Sequence, residues 1–174
     1  MTFSIAGRCA KTGAFGVAIT TSSIAVGARC PHARAGVGAV ATQNVTDPNL
    51  GPLLLDKMAE GLSASDAIRS LIQDRPHREY RQLTAVDRHG TSASFSGKEI
   101  LGTHGVSEQQ DCVAAGNLLK SSTLPQVMTA AFAASVGEHL AERLLRALEA
   151  GLASGGEEGP VHSAALLVHH AAPF

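Results

Sequence analysis

The chain of 174 residues is long enough for one domain with an ordinary hydrophobic core and leaves little room for a second. Hydrophobic residues make up 44% of the sequence and charged residues 17%, which argues against an intrinsically disordered chain. The net charge of -1, the scattered basic residues and the lack of tryptophan argue against nucleic-acid binding and against attraction to an anionic membrane.

Hydropathy and cysteine spacing indicate the cellular setting. No apolar run approaches the roughly 20 residues that span a bilayer, and the first residues lack the pattern of a signal peptide. Cys9, Cys30 and Cys112 are widely spaced and odd in number, which is typical of free thiols in a reducing compartment and matches no zinc motif. We therefore expect a cytoplasmic protein.

The first third of the chain predicts three strands. Apolar and small residues alternate over residues 2–7, and Lys11 to Gly13 supply a turn before a second strand over residues 15–21. These two strands are expected to form an antiparallel hairpin. Residues 35–42 are apolar on both faces, so we expect a buried strand whose glycines, Gly36 and Gly38, let another backbone come close.

The middle of the chain predicts two helices and a second hairpin. Pro52 suits the first turn of a helix that ends near Gly61. Ser63 followed by Asp66 approximates a capping box, which marks the start of the next helix. Residues 81–87 and 91–96 then predict two strands joined by a turn at His89 and Gly90.

The last third predicts a strand over residues 113–119, helices over 125–136 and 138–150, and a final apolar strand over 163–169. Antiparallel strand pairs with helices between them indicate an α+β fold. Two sheets packed face to face with helices outside would explain strands built from small residues, because such strands are covered on both sides.

The N-terminus carries the most informative pair of residues. Thr2 directly follows Met1 and is small enough for the initiator methionine to be removed. A free N-terminal threonine combines a hydroxyl nucleophile with an α-amine of pKa ~7.7–8.0, which can accept the hydroxyl proton at neutral pH. Many cytosolic proteins begin with these two residues for no catalytic reason, so that alternative stays open.

Three stretches in the first 43 residues form a characteristic pattern: TFSIA at residues 2–6, AVGARCP at 25–31 and AGVGAVATQ at 35–43. With Gly116 and Asn117 in a strand, they resemble the bacterial and archaeal domain-of-unknown-function family 1028. That family is grouped with the N-terminal nucleophile (Ntn) hydrolases, which mostly cut amide bonds. The resemblance implies an Ntn-hydrolase-like four-layer αββα sandwich of two mainly antiparallel sheets, forming one domain over residues 1–174.

The resemblance also implies catalytic positions. Thr2 matches the nucleophile once Met1 is removed. In Ntn enzymes backbone N–H groups and nearby amide side chains hold the oxyanion, and Asn117 and Gln43 are the candidate donors here. A structural hydrogen-bond network would equally satisfy a buried amide at either position.

Three further residues are candidates for substrate binding. Arg29 offers a bidentate fork to a carboxylate, unless it is simply solvated. Ser22 belongs to the hydroxyl cluster of residues 20–23, which antiparallel pairing brings near Thr2 or which only ends the strand. Asp47, in the loop after the glycine-rich strand, could orient an amine or make local turn bonds.

Cofactor motifs are not found. The histidines lack ligand spacing, and the adjacent His169 and His170 point to opposite faces of a strand. Gly36 and Gly38 lack the third glycine that opens a helix in a dinucleotide fingerprint. We expect no metal or other cofactor.

The favoured hypothesis is an Ntn-type hydrolase that cleaves an amide or related C–N bond of a small-molecule substrate and works as a homo-oligomer. The first alternative is a non-catalytic protein of the same fold that binds a small metabolite. An assembly role is the second, since glycine-rich strands and leucine-striped helices suit close subunit packing. Family members carry a further strand and helix, so we expect the C-terminal part of the domain to be incomplete.

Overall fold

The structure, a computed structural model, describes residues 1–170, so the last four residues of the predicted domain lie outside the described part. The described residues form nine strands and four α-helices. The strands are β1 Thr2–Arg8, β2 Phe15–Thr21, β3 Pro31–Arg34, β4 Gly38–Asn44, β5 Arg81–Asp87, β6 Ser92–Ser96, β7 Gly105–Gln109, β8 Cys112–Asn117 and β9 Ser163–His169. The helices are α1 Leu50–Ala59, α2 Ala64–Ile72, α3 Leu124–Ala134 and α4 Leu140–Ala153.

The strands form two antiparallel sheets. One has the order β7-β8-β1-β2-β9 and the other the order β3-β4-β5-β6. Helices α3 and α4 pack on the outer face of the five-stranded sheet, and α1 and α2 cover the four-stranded sheet. The layers therefore follow the order αββα, which confirms the predicted α+β sandwich.

The alternation of β1 explains the layering. Phe3 and Ile5 point to α3 and α4 and are fully buried there, where each large side chain contributes roughly 1.5–3 kcal/mol. Ala6 lies on the opposite face and packs between the sheets. Small residues dominate this inner layer because two sheets approach each other closely there.

Two strands were not predicted, and several boundaries differ. Strand β3 is only four residues long, and β7 is a partly exposed edge strand with weak apolar alternation. Gly36 lies in the turn between β3 and β4 with φ of 70°, rather than inside a strand. Helix α1 begins at Leu50, before Pro52.

Other local predictions are confirmed. The Ser63 hydroxyl accepts a hydrogen bond of 3.1 Å from the Asp66 N–H and donates one of 2.8 Å to the Asp66 carboxylate, which caps α2. A Cβ atom on Gly38 would lie 2.5 Å from the Val86 carbonyl oxygen and 2.8 Å from Met58 Cε, so glycine permits the close approach of β5 and α1.

Two observations concern the predicted cellular setting of the protein. Cys9, Cys30 and Cys112 are free thiols. Among residues 1–170, no helix combines the length and the apolar character that crossing a bilayer requires.

Candidate active site

Thr2 opens β1, the central strand of the five-stranded sheet. It lies directly opposite Thr21 of β2 and Asn117 of β8. Residues opposite each other in antiparallel strands share a face, so these three side chains lie together on the face directed at the other sheet. Thr2 is 7% exposed. The hydroxyl cluster of residues 20–23 is thus near Thr2, as the hairpin register predicted.

The carbonyl oxygen of Met1 lies among several hydrogen-bond donors. It accepts hydrogen bonds of 2.6 Å from both Thr2 Oγ1 and Thr21 Oγ1, and one of 3.4 Å from the Ser22 N–H. The two hydroxyl oxygens are 3.0 Å apart. The acyl group attached to the Thr2 nitrogen is therefore held beside the Thr2 hydroxyl by donors from β2 and the residue after it.

A network of buried amides connects the two sheets beside this group. Ser4 Oγ donates to Gln43 Oε1 at 2.6 Å, and Gln43 Nε2 donates to Gln82 Oε1 at 2.8 Å. The same Gln82 oxygen accepts a hydrogen bond of 3.1 Å from Asn117 Nδ2. Gln82 Nε2 in turn donates a hydrogen bond of 3.1 Å to the Gly116 carbonyl oxygen. Ser4, Gln43, Gln82 and Asn117 are all buried. We call these four residues the amide network.

The amide network brings the two predicted oxyanion donors together. Asn117 lies opposite Thr2, and Gln43 is linked to Thr2's strand through Ser4. Each of the two amides uses one N–H on Gln82, which leaves each a second N–H. Asn117 is the better placed of the two because it is Thr2's direct cross-strand neighbour.

Sequence reasoning missed Gln82 and Ser4. Both are polar residues at inward-facing positions of predicted strands, and both lie at the same end of the inner layer as Thr2. The other end of the inner layer is an apolar cluster of Ala6, Phe15, Val17, Ala39, Ala41, Val86 and Val113. A comparison of polarity along the inner faces of the strands would have pointed to both residues.

Glu157 was also missed. It lies in the segment between α4 and β9 and forms a β-bridge with Leu119, two residues after Asn117. It is 4% exposed, and neither carboxylate oxygen has a hydrogen-bond partner among residues 1–170. The nearby Ser22 N–H is directed at the Met1 oxygen instead.

Burial raises the pKa of Glu157 above its ordinary value. The positive charge of the chain's N-terminal ammonium, that of His162 and the Ser22 N–H act in the opposite direction without cancelling the effect. The carboxyl group therefore lies within the electrostatic reach of the N-terminus.

The remaining predicted site residues fall into two groups. Ser22 lies beside Thr2 and contributes its backbone N–H. The Arg29 guanidinium donates to the Ile24 carbonyl oxygen and to Ser23 Oγ, which fixes its own loop. Their expected substrate contacts stay predictions.

Asp47 is bound to a different part of the fold. Its carboxylate accepts a hydrogen bond of 2.9 Å from the Arg75 guanidinium and one of 3.1 Å from the Asn49 N–H. Burial opposes ionisation, but these hydrogen bonds outweigh it, so the pKa of Asp47 lies below its usual range. These contacts connect two loops next to the helices of the four-stranded sheet rather than reaching Thr2.

Among residues 1–170 no group of three or more histidine, cysteine, aspartate or glutamate side chains is arranged to hold a metal ion.

Comparison with protein families identifies the chain. The model of the family of unknown function DUF1028 matches residues 2–173. The chain belongs to this family. A crystal structure of a DUF1028 protein from Silicibacter pomeroyi has a TM-score of 0.90 at 34% sequence identity, covering 97% of this chain and 73% of that one. The predicted resemblance is confirmed.

This DUF1028 chain is also similar in structure to proteins of much lower sequence identity. The BPH protein of Thiobacillus denitrificans has a TM-score of 0.50 at 10% identity, covering 100% of both chains. Its complex with epoxomicin has a TM-score of 0.48 at 11% identity, covering 99% of this chain and 100% of that one. The DUF1028 chain thus shares the overall fold of the BPH protein. Comparison with curated proteins gave no match.

Proposed function

We propose that this DUF1028 protein is an Ntn-type hydrolase that cleaves a small amide or related C–N bond, with Thr2 as the nucleophile after Met1 is removed. One observation carries the proposal. The Thr2 hydroxyl lies 2.6 Å from an acyl oxygen that Thr21 and the Ser22 N–H also hold. A nucleophile and separate donors thus converge on one carbonyl group, which is the arrangement that acyl transfer needs.

The proposed reaction begins when removal of Met1 frees the α-amine of Thr2. The neutral amine takes the proton of Oγ1 as Oγ1 bonds to the substrate carbonyl carbon, and the carbonyl electrons move to the oxygen. The tetrahedral intermediate then collapses, and the leaving amine takes the proton from the Thr2 ammonium. Water hydrolyses the resulting ester with the same amine as base, and the acid is released.

The oxyanion is proposed to lie where the Met1 oxygen lies. Thr21 Oγ1 and the Ser22 N–H already donate to that position, and one such donor contributes about 3 kcal/mol to transition-state stabilisation. The second N–H of Asn117 is proposed to support them. Gln43 acts through Gln82 and so serves as a positioning residue.

The same geometry offers one alternative. Asn117 and Gln43 both donate to Gln82, so their amides also fit the wall of a binding site in a non-catalytic protein that holds a small metabolite. The two functions separate at Thr2, because binding does not need the hydroxyl and turnover does.

The decisive experiment compares chains that differ at the N-terminus. Mass spectrometry first establishes that Met1 is removed, and the processed chain is then assayed against a panel of small amides. We expect Thr2→Ser to keep part of the turnover and Thr2→Ala to lose it, as should a chain that retains Met1, since its Thr2 nitrogen is acylated. Full turnover by Thr2→Ala would contradict the nucleophile assignment.

A cytoplasmic location and a homo-oligomeric state complete the proposal. Free thiols support the first. Strand β9 supports the second, because it ends its sheet within residues 1–170 and its Leu166 is 46% exposed. Light scattering on the purified chain tests the oligomer, and a monomer mass would refute it.

A further inference from the structure

Met1 occupies the place of an acyl group in the candidate active site. Its carbonyl oxygen is held by Thr2, Thr21 and the Ser22 N–H. Its side chain packs on the segment after α4, where a Cβ atom added to Gly159 would lie 2.5 Å from Met1 Cε and 2.9 Å from Sδ. The described structure therefore places an aminoacyl group between the start of β1 and Gly159.

The position of Met1 indicates where the acyl group of a substrate would lie, because of the geometry of threonine. An acyl group on the threonine nitrogen and one on its Oγ1 are related through a five-membered ring, so their carbonyl groups occupy neighbouring positions. The acyl-enzyme of the proposed reaction carries its acyl group on Thr2 Oγ1. Met1, attached to the Thr2 nitrogen, is thus a close stand-in for that group.

Glu157 lies two residues before Gly159, the residue against which the Met1 side chain packs. The N-terminal ammonium acts on the Glu157 carboxylate electrostatically, yet the two form no ion pair among the described residues. A carboxylate that is 4% exposed, with neither oxygen hydrogen-bonded within residues 1–170, is costly to keep in a fold. Binding an ammonium group would offset that cost.

We propose that the site accepts α-aminoacyl groups and that Glu157 binds the α-ammonium group of the substrate. The inference rests on the proposed function and names its substrate class: amides of α-amino acids with a free amino group, including those with an unbranched side chain such as methionine. The acyl oxygen lies with Thr21 and the Ser22 N–H, and the ammonium donates to the Glu157 oxygens. Hydrolysis then releases the amine and the free amino acid.

The test uses the processed chain with L-methionine p-nitroanilide and its N-acetyl derivative. We expect kcat/KM to be at least about tenfold higher for the free-amine substrate. Glu157→Gln should remove that preference by lowering kcat/KM for the free-amine substrate. The neighbouring exposed Glu158 gives the matched control, Glu158→Gln, which should keep the preference.

Two outcomes would overturn the inference. The first is equal kcat/KM for the two substrates in the processed wild-type chain, a comparison that needs no variant to fold. The second is an equal loss on both substrates in Glu157→Gln, which would assign the carboxylate to the Thr2 amine instead.

A lack of turnover on both substrates would count against hydrolysis but would leave the recognition question to a binding measurement. Calorimetry with L-methioninamide and N-acetyl-L-methioninamide then decides it. We expect about tenfold tighter binding of the free-amine compound, lost in Glu157→Gln and kept in Glu158→Gln. Equal affinities, or no binding of either compound, would refute recognition of the ammonium group.

Discussion

Asn117 of the five-stranded sheet donates a hydrogen bond of 3.1 Å to Gln82 of the four-stranded sheet. The same Gln82 oxygen accepts a hydrogen bond from Gln43, its cross-strand neighbour. One buried side chain thus sets the position of two amides at the end of the inner layer where Thr2 begins β1. Polar contacts therefore join the two sheets at this end, whereas an apolar cluster joins them at the other.

Replacing Gln82 by leucine should destabilise the fold and disturb the site. The change keeps the volume but leaves the amides of Gln43 and Asn117 without their acceptor, so we expect a loss of about 3 kcal/mol in the free energy of unfolding. Urea denaturation measures it. Gln109→Leu is the control because Gln109 is exposed, and a similar small effect of both changes would contradict the role of the amide network.

Replacing Thr21 by valine should lower turnover without harming the fold. The change removes the hydroxyl that donates to the acyl oxygen, and we expect kcat to fall about 100-fold on a cleaved amide, with KM nearly unchanged. The control is Thr20→Val, since Thr20 lies on the outer face of the same strand and donates to the Ser163 carbonyl oxygen. Equal losses for the two variants would speak against Thr21 as an oxyanion donor.

Replacing Glu157 by glutamine should stabilise the protein at pH 7. Burial raises the pKa of this carboxyl group above its ordinary value of 4.5, so the folded state holds its proton more tightly than the unfolded state does. The stabilisation that comes from this tighter proton binding is complete below about pH 4.5. It is lost as the pH rises through the pKa of Glu157 in the folded state. We expect the variant to unfold at a higher temperature than wild type at pH 7.

The pH dependence of stability separates the effect of removing the Glu157 charge from an effect of the substitution that is independent of charge. The advantage of Glu157→Gln should be about 1 kcal/mol at pH 7 and should vanish near pH 4. Thermal denaturation at both values measures it, with Glu158→Gln as the exposed control. A variant that is less stable than wild type at pH 7 would show that the carboxylate has a stabilising partner.

Replacing Ser63 by alanine should lower the free energy of unfolding by removing the N-cap of α2. Ser63 accepts from the Asp66 N–H at the start of the helix, and loss of such a cap costs about 1 kcal/mol. Ser65→Ala is the matched control, because Ser65 is exposed in the first turn of the same helix. The two variants are compared by urea denaturation, and an equal change would mean that the cap has no net effect.

Local patterns in the sequence were sufficient for much of the fold. The turn after β1 and the alternation of β1 and β2 predicted their hairpin, and Ser63 with Asp66 predicted the start of α2. Strand β7 could not be predicted in this way. Its residues have little apolar alternation, and their extended form depends on pairing with β8.

For the site, the sequence by itself determined that a threonine follows Met1 at the head of a strand, and the family resemblance pointed to Asn117 and Gln43 as its partners. Only the tertiary structure decided that Gln82 joins those two amides and that Glu157 is buried in a β-bridge with Leu119. The physical reason is that these contacts join segments distant in sequence: they depend on strand register and on the packing of one sheet against the other, which no local pattern encodes.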